Sequence, residues 1–155
     1  MAVNGNHAVT RYLPYKTWQS AKDAQAWLAR MTVLADEGKA LQLVVERQSD
    51  NQVIGAILLF DYDEYNNRLE IGYVLGQEYW QQGYAKEAIH GLLFQLINES
   101  GLRRIEAQVN PNNIASVALM KSLGFKNEGY LRERWAAEEG PYDVIMFGLL
   151  ASDLT

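Results

Sequence analysis

The chain contains no cysteine. Disulfides, thiol nucleophiles and thiolate zinc sites are therefore excluded. Histidine is almost as scarce: His7 and His90 are the whole supply, too few for a histidine-rich metal centre, so no metal is expected. Long apolar runs are missing. The longest, Val53 to Phe60, falls far short of the ~20 residues a membrane helix needs. The first residues, Met1 to His7, lack the basic and apolar regions of a signal peptide. The expected location is cytoplasmic, with no membrane partner. Basic residues are the minority, 14 Lys and Arg against 19 Asp and Glu, for a net charge of −5. That balance argues against nucleic acid and is compatible either with a cationic substrate or with simple solubility. Repeats, low-complexity runs and inter-domain linkers are absent too, so residues 1–155 read as one domain with a real core.

What is present is organised around Arg68 to Ala85. Leu69, Ile71, Tyr73 and Leu75 alternate with Arg68, Glu70, Gly72 and Val74, which is a strand with one apolar face and a carboxylate on the other. A turn-rich link follows, then Gln82-Gly83-Tyr84-Ala85, and from Ala85 the spacing is helical. A helix start exposes unpaired N–H groups and the positive end of the dipole, which suits phosphate. The plain alternative is that Gly83 is only a turn residue.

In chain order, residues 1–10 read as polar and loose. Ser20 with Asp23 reads as a capping box, and Ala24, Trp27, Leu28, Met31 and Leu34 follow at helical spacing until Gly38. Leu41–Arg47 and Val53–Phe60 read as a hairpin, the second strand apolar enough to be buried on both faces. Residues 61–67 form an acidic, aromatic connection, either a solvated turn or a rim for a cationic substrate. After Gly83 the stripe Ala85, Ala88, Ile89, Leu92, Leu93, Leu96 and Ile97 predicts an amphipathic helix with His90 at the surface. Gly101 closes it, and Arg103–Val109 is the next strand. Asn113 caps a short helix that Gly124 stops. Phe125–Arg132 and Tyr142–Leu149 are two late strands, joined by a connection containing Glu138 and Glu139. This order predicts an α/β (α+β) fold with a mixed sheet and helices packed on it.

Two stretches taken together carry a family resemblance. The loop Trp80-Gln81-Gln82-Gly83-Tyr84-Ala85 is followed by Asn113-Ile114-Ala115-Ser116 and then Leu123-Gly124-Phe125. The set resembles the GNAT family of N-acetyltransferases, in the branch of the ribosomal-protein N-terminal acetyltransferases, from about Thr10 onward. The first loop position departs from the family's Gln or Arg: it is Trp80. The resemblance implies a mostly antiparallel sheet in which the central strand and the strand after the long helix splay apart to admit the pantetheine arm of coenzyme A. It also implies a further strand before Thr10–Leu13, for which the front of this chain is too short. The strand at Leu41 is then left with an open edge, and a homodimer is expected.

N-acetylation needs a neutral amine, a polarised thioester carbonyl and a stabilised leaving thiolate. Amines titrate near ~8 to ~10, so a base is required. Glu70 is the candidate, in the position of a base glutamate in some relatives; pairing with a nearby arginine is its structural alternative. The resemblance implies an oxyanion donor among the N–H groups near Val74, provided a bulge beyond Gly72 frees one. It implies acetyl-CoA as cosubstrate, held by Val74 and Leu75 and by the N–H groups of Gln82, Gly83, Tyr84 and Ala85, with Asn113 beside the pantetheine. Asn113 as a plain helix cap needs no ligand. The tyrosine that many relatives use to protonate the thiolate is replaced by Met120, which leaves Ser116 as the candidate donor or as a residue that merely satisfies the helix end. The implied function is acetyl transfer to a protein N-terminus, a polyamine or a small amine. The alternative is a non-catalytic acyl-CoA-binding module. Residues 14–20, 61–67 and 132–141 are expected to line the acceptor pocket.

Overall fold

The computed structural model describes residues 1–137 and 140–154, so Glu138 and Glu139 lie outside the described residues. The chain begins with a short helix α1 (His7–Thr10) and a longer α2 (Ala21–Asp36). Strands β1 (Ala40–Arg47), β2 (Gln52–Asp63) and β3 (Arg68–Leu75) follow as a meander. Helix α3 (Tyr84–Phe94) continues as a π-helical turn over Gln95–Glu99 and leads to β4 (Arg104–Val109). Helix α4 (Ile114–Ser122) precedes β5 (Lys126–Trp135) and β6 (Tyr142–Leu150). The six strands lie in the order β1-β2-β3-β4-β6-β5. Only β3 and β4 are parallel, joined by the α3 crossover. The mixed sheet expected from the element order, mostly antiparallel as the resemblance implies, is thus observed.

One sheet face carries the main core. Leu69 and Ile71 of β3, Ile105 of β4 and Phe147 and Leu149 of β6 pack against Ile89 and Leu93 of α3 and Met120 of α4. Each such apolar side chain contributes roughly 1.5–3 kcal/mol when fully buried. The stripe predicted for α3 is the face that does this, and His90 is exposed. Gly124 stops α4 with φ +91, a left-handed angle that suits glycine.

The other face is covered more thinly. Helix α2 packs on β1 and is started by the predicted capping box, in which Asp23 accepts the N–H groups of Gln19 and Ser20 at 2.8 Å each. Of the stripe assigned to this helix, Met31 is buried, whereas Leu28 is 61% exposed. Strand β2 is correspondingly buried on one face only. Ile57 and Leu59 are in the core, Leu58 and Phe60 are half-buried, and Val53 is exposed. The second face was expected to be filled; α2 sits too far toward β1 to fill it.

Two boundaries move. The segment 1–10 is ordered around polar contacts: Asn6 caps α1, and Asn4 and Thr10 are buried. Asn4 accepts the Trp18 N–H at its carbonyl and the Tyr15 hydroxyl at its side chain. Strand β2 runs on to Asp63, which pairs with Arg68, so the turn is confined to residues 64–67. No strand precedes α2 among the described residues, and β1 is an edge strand with Leu41 and Val44 exposed.

Candidate active site

The glycine loop has the geometry of an anion site. Gly83 is the N-cap of α3 with φ +87, and Gln81 is also left-handed at φ +59. Helix α4 is capped by the Asn113 side chain and α2 starts with a capping box, but α3 has neither. The N–H groups of its first turn are therefore open. A Cβ built on Gly83 meets nothing within 4 Å, so the space above the loop is free. Gln82 is fixed by its amide, which donates to the Glu78 carbonyl at 2.7 Å. Tyr84 stacks edge-on against Tyr79 at 6.3 Å. Ala85 is half-buried behind it.

The departure at Trp80 has a structural role. Its indole N–H donates to the Leu75 carbonyl at 2.9 Å, tying the loop to the end of β3.

Strands β3 and β4 part company. Their parallel register includes Arg68↔Arg104, Leu69↔Ile105 and Glu70↔Glu106, and no pair follows. From there β3 stays with β2 and β4 with β6. The splayed pair implied by the resemblance is therefore present. The phase of the ladder decides which groups face the gap. Gly76 N–H donates to Ile54 O, so Val74 and Gly72, in the same phase, turn their backbone groups to β2. Those of Tyr73 and Leu75 turn to the gap. The β2–β3 register is continuous from Glu70 to Leu75, its irregularity lying between Phe60 and Asp63. The bulge that would free the Val74 N–H is not formed; the open N–H groups belong to Tyr73 and Leu75.

Glu70 lies at the fork and is 5% exposed. Its neighbour is an amide, not an arginine: Gln108 donates to it at 3.0 Å, and Trp135 donates to Gln108 at 2.9 Å. Arg68 and Arg104 are taken by Glu106, at 2.9 Å and 2.7 Å, and Arg134 acts on Glu70 only through its charge. Burial pushes the Glu70 carboxyl up to about 6, and the charges of Asp61 and Glu106 add to this against the opposing Gln108 bond. A carboxylate with that affinity is matched to proton abstraction near neutral pH.

Ser116 is brought to the same gap, with a partner that sequence reasoning missed. The Tyr73 hydroxyl lies 2.5 Å from Ser116 Oγ. Burial holds the Tyr73 hydroxyl up at about 12, so it stays protonated. The alternation in β3 places Tyr73 on the face that α4 covers, which was the one available signal. Asn113 accepts the Ser116 N–H at 3.2 Å, which is the expected cap. Met120 is fully buried in the core and offers no route to the gap.

Of the loops expected around an acceptor, Asp61 and Tyr62 line a cavity on the sheet, and Trp135 reaches Gln108. Residues near the front bridge the two sides of the fork. Asn6 donates to Gln77 at 2.8 Å, beyond β3, and the Tyr142 hydroxyl, at the start of β6, donates to the Tyr12 carbonyl at 3.4 Å.

Residues 1–126 match the acetyltransferase (GNAT) domain family. The chain is 35% identical over 142 residues to the uncharacterized N-acetyltransferase p20 of Bacillus licheniformis, covering 92% of this chain and 80% of that protein. It is 23% identical over 149 residues, 90% of this chain and 77% of the other, to the ribosomal protein uS5-alanine N-acetyltransferase of Escherichia coli. Among solved structures it superposes on a spermidine N-acetyltransferase from Vibrio cholerae in complex with CoA and spermine, with a TM-score of 0.82 at 21% identity, covering 97% of this chain and 86% of that one. No helix among the described residues is long and apolar enough to cross a membrane. The family match and the p20 relative together show that the chain belongs to the GNAT family and is an N-acetyltransferase, an enzyme that moves an acetyl group to an amine.

Proposed function

We propose that the protein uses acetyl-CoA and transfers its acetyl group directly to a primary amine, with Glu70 as the base. The observation that carries this is the buried Glu70 carboxylate at the fork, hydrogen-bonded to an amide. Acetyl-CoA supplies the activated acetyl group. Its pyrophosphate is held by the N–H groups at Gln82, Gly83, Tyr84 and Ala85, where the uncapped α3 terminus and the open space above Gly83 fit an anion. The pantetheine takes the gap between β3 and β4, against the backbone of Leu75 and beside Asn113. Leu75 or Tyr73 N–H, not Val74, polarises the thioester carbonyl.

The chemistry balances as follows. Glu70 accepts one proton from the ammonium. The amine nitrogen then bonds to the carbonyl carbon and the carbon–sulfur bond breaks. The second proton passes from the nitrogen to the thiolate sulfur, which is stabilised until then by a hydrogen bond from the Tyr73–Ser116 pair, and Glu70 releases its proton to solvent. The acceptor is a protein N-terminus, a polyamine or a small amine.

Following free thiol on mixing the protein with acetyl-CoA and an amine panel tests this. Thiol release that requires an amine is expected. Coenzyme A binding by calorimetry with no release on any amine would leave only a binding module.

A further inference from the structure

A cavity of about 460 Å³ lies between α2 and the sheet. Arg30, Met31 and Leu34 of α2 form its roof, and Leu58, Phe60 and Asp61 of β2 form its floor. Cross-strand partners share a face. Phe60 is opposite Glu70 and Leu58 is opposite Gly72, so the floor continues into the face that carries Glu70. Gly72 has no side chain to close that continuation. A Cβ built there would sit 3.6 Å from the Phe60 ring.

The irregularity in β2 shapes this cavity. Neighbouring residues of a regular strand face opposite ways. Here Phe60, Asp61 and Tyr62 all line one space, because Asp61 is left-handed at φ +51 and the register shifts between Phe60 and Asp63. The kink brings Asp61 to the cavity next to Phe60, whose partner across the strands is Glu70.

Two charges in the cavity are unmatched. Neither the Arg30 nor the Asp61 side chain makes a hydrogen bond or ion pair among the described residues, and both are exposed at the rim of the same space. Lys39, also at the wall, is held by Glu37 at 2.7 Å. Between the unmatched charges the lining is apolar: Met31, Leu34, Leu58 and Phe60. The volume falls in the range of small-molecule sites.

We propose that this cavity holds the acceptor, and that the acceptor is a small zwitterion of the α-amino-acid type, with an apolar side group. Its ammonium faces Asp61 and Glu70, its carboxylate pairs with Arg30, and its side group fills the apolar floor. A guanidinium binds a carboxylate through two parallel hydrogen bonds, which fixes orientation as well as charge. A polyamine would bring a second cation toward Arg30. A peptide N-terminus would offer Arg30 a neutral amide in place of a carboxylate. This assignment rests on the acetyltransferase reading and narrows its substrate class.

The test compares L-phenylalanine, L-methionine and L-leucine with their carboxamides and with spermidine, by thiol release from acetyl-CoA. The free acids are expected to exceed both alternatives by about tenfold or more in kcat/KM, and Arg30→Gln is expected to bring the acid-to-amide ratio toward one. Carboxamides or spermidine as good as the acids would overturn the proposal, as would a ratio that survives Arg30→Gln. A second measurement needs no turnover. N-acetyl-L-phenylalanine is titrated into the wild type and Arg30→Gln, each checked for folding by circular dichroism. Saturable binding lost in the variant supports the cavity even if no amine is acetylated, in which case only the acetyltransferase reading falls. No binding to the folded wild type sinks the cavity assignment alone.

Discussion

The hydroxyls of Tyr73 and Ser116 meet at 2.5 Å and join β3 to the first turn of α4 across the edge of the fork. One of the two donates to the other, so a single proton remains for a third group. The pair therefore acts as one donor, and neither hydroxyl is dispensable to it. Tyr73→Phe and Ser116→Ala are each expected to lower kcat by about tenfold, a loss of ~1.4 kcal/mol in the transition state. The double variant should lose little more than either single one, the mark of a coupled unit. Rate constants and melting temperatures measured together check this. Lost stability with an intact rate would make the pair a strut between strand and helix.

Gly83→Val is expected to abolish coenzyme A binding. The site has free space, so the cost is not a clash within the protein. A side chain at φ +87 is strained, and it would stand where the phosphate must approach the backbone. Calorimetry with coenzyme A, on variant protein shown to be folded, is the measurement. Unchanged affinity would remove this loop from the binding site.

Glu70→Gln is expected to cut turnover by about 10²–10⁴-fold, while affinity for coenzyme A stays near wild type. In the wild type, activity should rise with pH through about 6, as Glu70 loses its proton. Stability runs the other way. The folded-state affinity is raised above the ordinary 4.5 of a glutamate, so the folded protein holds the proton more tightly than the unfolded chain. The resulting stabilisation is complete below pH 4.5 and is lost as pH rises through about 6. Glu70→Gln removes that loss, and above pH 7 it should be more stable than the wild type, by on the order of 2 kcal/mol. Chemical denaturation at pH 4 and pH 8 reads this directly.

Gln108→Leu is expected to move the acid limb of the pH–rate profile upward. The Gln108 hydrogen bond is the main influence holding the Glu70 affinity down, and its removal leaves only the charge of Arg134 to oppose burial. The Trp135 N–H loses its partner at the same time, which should cost ~1–3 kcal/mol of stability. A profile that does not move would show that Gln108 has no hold on the carboxylate.

The parts of this protein that were legible in the sequence are those set by local rules. The alternation in β3, the Ser20–Asp23 box, the α3 stripe and the positive φ at Gly83 all follow from residues within a few positions of one another. The partners at the fork are remote. Gln108 is 38 residues from Glu70, and Ser116 is 43 from Tyr73, and nothing in either neighbourhood announces the other. Glu70 had a nearby arginine as its plausible partner; the one two residues before it, Arg68, is taken across the sheet by Glu106. The error at Val74 is of a different kind. Side-chain alternation can be read from residue types, but the phase of backbone hydrogen bonds along the same strand leaves no trace in them. Residues 1–10 were misread because their polarity suggested solvent, whereas Asn4 is buried against Tyr15 and Trp18, and Thr10 against Asn6 and Thr17.

The fork makes β3 a strand with two different edges. On one side every second residue is locked to β2, and on the other the ladder to β4 stops after Glu70. Amide protons along β3 should therefore not exchange with solvent deuterium as a block. Those of Gly72 and Val74 should persist, while those of Tyr73 and Leu75 exchange early, giving an alternation of slow and fast sites within one strand. A pantetheine lying in the gap would act as a short substitute strand, and within β3 its binding should be recorded as slowed exchange at Tyr73 and Leu75 only.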